Sequence, residues 1–247
     1  MPRLDQSLVA AGLCESREKA QRAILAGQVR VNGQTARKSS DTVRETDELS
    51  LDAPEKFVSR GGHKLEHALE YFHISVVGKI AVDLGASTGG FTDCLLQHGA
   101  KKVFAVDVGH GQLAWKLRQD PRVVVMEKTN ARHLTRAGFP KDFDGGEIMV
   151  VDCSFISLRM ILPAAIALLT QSGKIIALVK PQFEAGRKEA DKGAGVITDP
   201  TVHQRILAEV KEFVGEKTDL LWRGETESPL LGPAGNKEFL ISLEKKA

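Results

Sequence analysis

Cysteine is almost absent from this chain. Three residues in 247, Cys14, Cys94 and Cys153, are odd in number and far apart. They make no disulfide framework, which suits a reducing compartment. The opening residues carry no secretory signal. Long apolar runs are missing as well. The longest, Met160 to Leu169, contains Pro163 and falls short of the roughly twenty residues a membrane span needs. Net charge is also small, +2, so a nucleic-acid surface has to come from local clustering of cations. These absences point to a cytoplasmic protein. A hydrophobic content of 42% is enough for a real core, and the length fits one large domain or a large plus a small one.

Among what is present, Val82-Asp-Leu-Gly-Ala-Ser-Thr-Gly-Gly-Phe91 organises the rest. Ile80 to Leu84 reads as a buried strand, glycines follow at 85, 89 and 90, and Phe91 to Gln97 reads as a helix closed by Gly99. Strand, glycine loop and helix form the first unit of a doubly wound α/β domain, in which ligands bind beyond the carboxyl ends of the strands. Asp107 ends the next apolar run about twenty residues past Gly85, where an acid can hold a ribose diol. That leaves a nicotinamide dinucleotide, S-adenosylmethionine or a purely structural turn. The spacing Gly-x-x-x-Gly-Gly departs from the dinucleotide pattern, and Asp83 would repel a pyrophosphate. An acid there suits a ligand with an ammonium group and no phosphate, which favours S-adenosylmethionine. The expected cofactor contacts are Asp83, Gly85, Ser87, Thr88, Gly89, Gly90, Phe91, Asp107 and Val108. Glu127 and Asn130 follow the third strand, where an adenine edge could be read, and Asp152 ends the fourth.

The first 53 residues read differently. A short helix from Leu4 ends at Gly12. Ser16 can cap a second helix, Arg17 to Ala26, and Val29-Arg-Val31 meets Asn32-Gly33, a hairpin signal. Cations cluster here, and Arg3, Arg17, Lys19, Arg22 and Arg30 are the expected RNA contacts, with Arg60 further on. The plainer reading of such charges is a solvated face. The order of parts, with Arg3-Leu-Asp5, Ser16-Arg17, Ala20, Ile24, Gly27, Val29 and Val31-Asn32-Gly33, resembles the S4-type RNA-binding domain. Such a domain implies a grip on helical RNA through shape and phosphate.

Residues 54–63 read as a linker with a Gly61-Gly62 hinge, leading to a helix from Lys64 to Phe72. His63 and His67 are four apart, but no third ligand is in view, so no metal is expected. The large domain, 64–247, continues with strands at Val123–Met126, Ile148–Asp152 and Gly173–Val179. Residues 182–195 read as a mobile functional loop, and a last strand runs from Glu238 to Leu243. Lys64, Asp152, Lys180 and Glu238 each fall where an open α/β sheet places its site. Two lysines and two carboxylates beside a methyl donor suit transfer to a weakly acidic hydroxyl. Asp152-Cys-Ser-Phe155 lacks the paired prolines of amino methylation. Cys153 follows an acid that opposes thiolate formation, so it reads as a packing residue.

Ser59-Arg-Gly-Gly-His-Lys-Leu65, Asp83 to Asp93, Asp107 to Leu113, Asp152-Cys-Ser-Phe-Ile-Ser-Leu158, Val179-Lys-Pro-Gln-Phe-Glu184 and Gly235-Asn-Lys-Glu-Phe239 together resemble the TlyA family. These are rRNA 2′-O-methyltransferases, often called hemolysins, with an S4-type domain ahead of an FtsJ-like catalytic domain of Rossmann-like α/β fold. The resemblance implies a Lys-Asp-Lys-Glu tetrad on Lys64, Asp152, Lys180 and Glu238, S-adenosylmethionine as cofactor and ribosomal RNA as partner. Cys153, where the family usually has valine, is the departure. Longer family members carry an extra basic arm and modify both subunits, while shorter ones modify a large-subunit cytidine. The opening Met1-Pro-Arg and the ending Lys245-Lys-Ala247 match the shorter kind, which implies the large subunit. Two other readings weigh less. A membrane-lytic protein lacks a span or an exposed amphipathic helix. A non-catalytic assembly factor does not need Asp83, Asp107, Lys180 and Glu238 intact.

Overall fold

The computed structural model describes residues 1–52, 55–186, 189 and 195–246, in two compact units, Met1–Lys56 and Phe57–Ala247. Most of the expected 182–195 loop (187, 188 and 190–194) lies outside the described residues.

The first unit is a small α+β fold. Helices α1 (Leu4–Ala10) and α2 (Arg17–Leu25) precede three short strands, β1 (Val29–Val31), β2 (Gln34–Thr35) and β3 (Leu49–Leu51), in the order β2-β1-β3. Ser16 caps α2, its hydroxyl accepting from the Lys19 N–H at 3.2 Å. Asn32 and Gly33 both take positive φ, 50° and 76°, the backbone a two-residue hairpin turn requires. Leu4, Leu8, Ala20, Ile24, Val29 and Val43 fill the centre.

The second unit is a seven-stranded sheet in the order β6-β5-β4-β7-β8-β10-β9. Its strands are β4 (Ile80–Leu84), β5 (Lys102–Val106), β6 (Val123–Met126), β7 (Gly146–Val151), β8 (Leu169–Val179), β9 (Leu220–Glu227) and β10 (Phe239–Lys245). Strands β4 to β8 are parallel, and β10 runs antiparallel between β8 and β9. Chain direction across the sheet reverses between β4 and β7, the crevice where such sheets take ligands.

Period-two alternation divides the strand residues between two cores. Val82, Leu84, Met149, Val151, Ala177 and Val179 face α6 (Leu158–Leu168) and α8 (Pro200–Lys217). Ala81, Val103, Ile148, Val150, Ile176 and Leu178 face α3 (Gly61–Tyr71) and α4 (Gly90–Gln97). Two further short helices are α5 (Trp115–Arg118) and α7 (Pro181–Glu184).

Two boundaries differ from those expected. The stretch from Phe57 belongs to the second unit rather than to a 54–63 linker, because the Phe57 ring is buried in the α3–α4 core. Gly61 and Gly62 form the first turn of α3 rather than a hinge. A Cβ on Gly62 would stand 2.2 Å from the Phe57 ring, so glycine serves close packing there. Strand β8 also starts earlier than Gly173. It follows α6 directly at Leu169, which pairs with Gly146, and an irregularity at Ser172 (φ 59°) absorbs the residues expected to turn. Among the described residues, no helix is long and apolar enough to cross a membrane.

Candidate active site

Two adjoining cavities open beyond the carboxyl ends of β4, β5, β7 and β8. The first, about 430 Å³, is lined by Arg60, Lys64, Gly90, Phe91, Lys180 and Glu238 among others. The second, about 440 Å³, is lined by Asp107, Val108, Asn130, Phe155, Ile156 and Ile161 among others. Gly85, Ser87, Asp152 and Ser154 border both. The two spaces therefore meet over Asp152.

The wall between them is built by close backbone approach. Gly85 takes φ +89°, and a Cβ there would stand 2.6 Å from the Asp152 carbonyl oxygen. Only glycine lets β4 turn away while the end of β7 comes this near. Thr88 lines the first cavity. Gly89 lines neither; with φ +97° it turns the chain over Leu117, which a Cβ would strike at 2.2 Å.

In the first cavity the four expected catalytic residues form two ion pairs. Lys64, near the start of α3, donates to Glu238 Oε2 at 2.5 Å, and both side chains are nearly buried. Glu238 comes just before β10, and a Cβ on Gly232 would lie 2.5 Å from its Oε1, so the preceding turn wraps closely round it. Lys180, at the end of β8, has Nζ 2.5 Å from Asp152 Oδ1 and donates to Ser154 Oγ at 3.0 Å.

Asp107, just past β5, accepts the Ser87 N–H at 2.8 Å and the Gly109 N–H at 2.6 Å. It ties the glycine loop to the neighbouring turn and fixes its own carboxylate at the edge of the second cavity. Asn130 lines that cavity with its Oδ1 accepting from Arg132 N–H, which leaves its amide N–H groups for a ligand.

With Gly89, two further expected residues prove to line neither cavity, Asp83 and Glu127. Asp83 alternates with Val82 and Leu84 and therefore points into the α3–α4 layer. It is fully buried, accepts from the Thr92 hydroxyl at 2.7 Å and lines neither cavity. Its Oδ1 has no hydrogen-bond partner among the described residues. Burial pushes its carboxyl up to about 7, with the charges of Asp152 and Asp107 adding to the effect and Thr92 opposing it. Glu127 also stays out of the cavities. It accepts the Gly111 and Gln112 N–H groups and pairs with Arg118; the Gly111 N–H first and the Arg118 guanidinium next hold its carboxyl well below the usual range, at about 2. Its chemistry fixes the turn after Asp107.

Sequence reasoning missed three residues. Ser154 borders both cavities beside Lys180. Phe155 takes φ 64°, is 90% exposed and packs at 5.2 Å from the Phe183 ring. A bulky residue in that backbone region is a rare arrangement that carries strain. Glu184, buried, accepts the Leu158 N–H at 2.5 Å and the Ser157 hydroxyl at 2.6 Å. It binds the Lys180 turn to the Asp152–Ser157 loop and lies at the amino end of α6, where a carboxylate is favoured. Glu184 stood in a quoted motif, but no spacing marks which strand-end loop a glutamate will reach.

His63 packs on Phe57 and lies 4.0 Å from Glu66, while His67 contacts the Thr226 hydroxyl at 3.3 Å. Their partners are different. All five expected RNA contacts in the first unit are paired with acids: Arg3 and Arg17 with Asp5, Lys19 with Glu15, Arg22 with Glu18, and Arg30 with Asp52. Arg60, in the second unit, precedes α3 and donates to the Leu231 carbonyl at 3.0 Å.

A sheet parallel from β4 to β8 with an antiparallel β10, this reversal, a glycine loop against the end of β7 and an acid after β5 define a class I methyltransferase. Residues 57–245 match the FtsJ-like methyltransferase family model, and residues 2–49 match the S4 domain. The 16S/23S rRNA (cytidine-2′-O)-methyltransferase TlyA of Mycobacterium tuberculosis is 46% identical over 98% of this chain and 89% of its own length. The 23S rRNA (cytidine-2′-O)-methyltransferase TlyA of Campylobacter jejuni is 35% identical over 78% and 74%. A solved structure of a hemolysin-named protein from Streptococcus thermophilus superimposes with a TM-score of 0.75 at 44% identity, covering 99% of this chain and 88% of that one. The chain belongs to the TlyA family of FtsJ-like methyltransferases.

Proposed function

We propose that the protein methylates the 2′-hydroxyl of a cytidine in ribosomal RNA from S-adenosylmethionine, with large-subunit RNA as the target. The observation that carries the reading is the pair of lysine–carboxylate contacts in one cavity, sharing Asp152 with a second cavity edged by Asp107. The 23S RNA is named for both curated relatives, which supports the large subunit.

The second cavity fits the cofactor. The cradle at Gly85 has no room for a side chain, Asp107 offers a fixed carboxylate to a ribose diol, Asn130 offers donors, and Ile156 and Ile161 give an apolar wall. The bound cofactor supplies an electrophilic methyl group. Gly85 and Ser87 form the backbone floor near it, and Asp83 lies buried in the layer behind them without contact.

In the first cavity Lys180 handles the proton of the target hydroxyl. Asp152 orients the Lys180 Nζ, which takes or holds the hydroxyl proton as the oxygen–carbon bond forms and the methyl–sulfur bond breaks. Lys64, held by Glu238, places a second cation on the target ribose and phosphate. Ser154 keeps Lys180 turned toward Asp152. Phe155 offers an open ring on which the target base can stack. The first unit, read as an S4 module over residues 1–53, delivers RNA through phosphate contacts, and the whole acts in the cytoplasm on a ribosomal subunit.

The test is methyl transfer from labelled S-adenosylmethionine to each purified subunit. The product should resist alkaline cleavage at one large-subunit cytidine, because a 2′-O-methyl blocks attack by that oxygen. A methyl found on a base would refute the mechanism, and equal incorporation into the small subunit would refute the target.

A further inference from the structure

Asp5 is an acid in the middle of an RNA-binding module, and it is completely buried. Its position in the first turn of α1 faces the start of α2. Four donor groups from three side chains converge on it. Arg3 approaches through Nε at 3.2 Å and Nη2 at 3.4 Å, Arg17 through Nε at 2.9 Å, and Gln21, one turn beyond Arg17, through Nε2 at 2.8 Å. These donors hold its carboxyl far below the usual carboxylate range, Arg3 contributing most.

The two arginines are held by their inner edges. Arg17 donates to Asp5 through Nε, and Arg3 through Nε and Nη2, so Nη1 of Arg3 and the terminal amino groups of Arg17 stay outside these bonds. Their side chains remain 41% and 52% exposed. The other helix cations are held differently. Lys19 and Arg22 pair along α2 with Glu15 and Glu18, whose side chains are 82% and 80% exposed. Such surface pairs exchange readily and contribute little. A guanidinium fixed along one edge offers the other as a pre-set fork, the geometry that binds phosphate in bidentate fashion. Ordering the fork in advance removes an entropy cost at binding.

We propose that Asp5 is a positioning residue that fixes Arg3 and Arg17 as a preformed clamp for RNA backbone phosphates. This rests on the reading of the first unit as an RNA-binding module. A simple charge count gives the opposite expectation: removing a buried anion should strengthen the attraction to RNA.

The experiment compares full-length wild type, Asp5→Asn and Arg17→Lys for binding to a large-subunit RNA fragment over a range of salt concentrations. Thermal melting and S-adenosylmethionine affinity are recorded for each. Asp5→Asn should weaken RNA binding roughly tenfold despite its more favourable net charge, the loss of about one bidentate charge-assisted contact. Arg17→Lys keeps the charge and the ion pair but lacks the fork, and should weaken binding severalfold with little change in salt slope. It also keeps the test open if Asp5→Asn unfolds the first unit. Binding by Asp5→Asn equal to or tighter than wild type, or unchanged binding by a folded Arg17→Lys, would overturn the clamp. Failure of the wild type to bind RNA would instead overturn the RNA-binding reading.

Discussion

Lys180 Nζ lies 2.5 Å from Asp152 Oδ1, and this pair stands where the two cavities meet. The lysine is nearly buried and also donates to the Ser154 hydroxyl. A base held this way is worth about 10²–10⁴ in rate. Lys180→Ala should lower kcat within that range while cofactor affinity changes less than about threefold, since Asp107 and the glycine loop are untouched. Asp107→Ala should do the reverse and weaken cofactor binding roughly tenfold, the effect of losing one bond to a charged group. Calorimetry and single-turnover rates on the two variants separate these outcomes. Equal loss of cofactor affinity in both would count against the division of roles.

Asp83 makes the stability of the second unit depend on pH. Its folded pKa, about 7, lies above the ordinary 3.8. The folded protein therefore keeps a proton that the unfolded chain releases between about pH 4 and 7. The stabilisation from this group is complete below pH 4, falls as pH rises through 7, and is flat above that. Asp83→Asn keeps an acceptor for the Thr92 hydroxyl and carries no charge at any pH. Its stability relative to wild type should rise by a few kcal/mol from pH 4 to pH 8, as an order of magnitude. Denaturant midpoints across that range give the answer. A difference between the two proteins that stays constant with pH would mean that Asp83 titrates normally.

Glu184 should matter to both stability and rate. It is a buried carboxylate that accepts from a backbone N–H and a hydroxyl at the start of α6. Glu184→Ala leaves those donors unpaired, which costs about 1–3 kcal/mol. It also frees the Asp152–Ser157 loop from the Lys180 turn, so kcat should fall more than cofactor affinity. Glu184→Gln retains acceptor capacity and should recover part of both. Melting curves and kinetics suffice, and a fully active, fully stable Glu184→Ala would show that the link is incidental.

The sheet was legible in the sequence because it depends on local pattern, whereas the reading of Lys64, Asp152, Lys180 and Glu238 as a tetrad came from the family resemblance. Short apolar runs ending in Asp107, Asp152 and Lys180 mark strand ends, and strand ends gather at one edge of a parallel sheet. The facing of Asp83 was set by an alternation that Val82 and Leu84 already display, yet the glycine loop after it suggested a ligand contact. Only the partner helix, with Thr92 opposite, decides that side. Phe57 looked like linker because one aromatic between a proline and two glycines has no period. Its burial depends on the glycine face of α3. The Arg17–Asp5 pair of the first unit was not legible, because it joins residues twelve apart with no signal in spacing, unlike the i,i+4 pairs Lys19–Glu15 and Arg22–Glu18.

Phe155 is the residue whose placement departs furthest from ordinary packing. A phenylalanine with φ 64° and a nearly fully exposed ring has its hydrophobic surface in water and its backbone in a rarely used region. Its one aromatic neighbour among the described residues is Phe183, and the Phe183 ring has Lys180 Nζ 5.9 Å from its centre. An aromatic platform next to the proton-handling lysine suits a nucleotide base whose ribose enters the first cavity, and stacking of this kind is worth about 1–3 kcal/mol per base. Phe155→Ala should therefore raise KM for RNA by roughly five- to a hundredfold. It should leave the melting temperature unchanged or slightly higher, because little buried surface is lost. Phe155→Trp keeps a stacking face and should stay close to wild type. Steady-state kinetics on large-subunit RNA, with cofactor affinity measured alongside, tests this directly. An unchanged KM in Phe155→Ala, or a Trp variant no better than Ala, would mean that the ring does not carry the base.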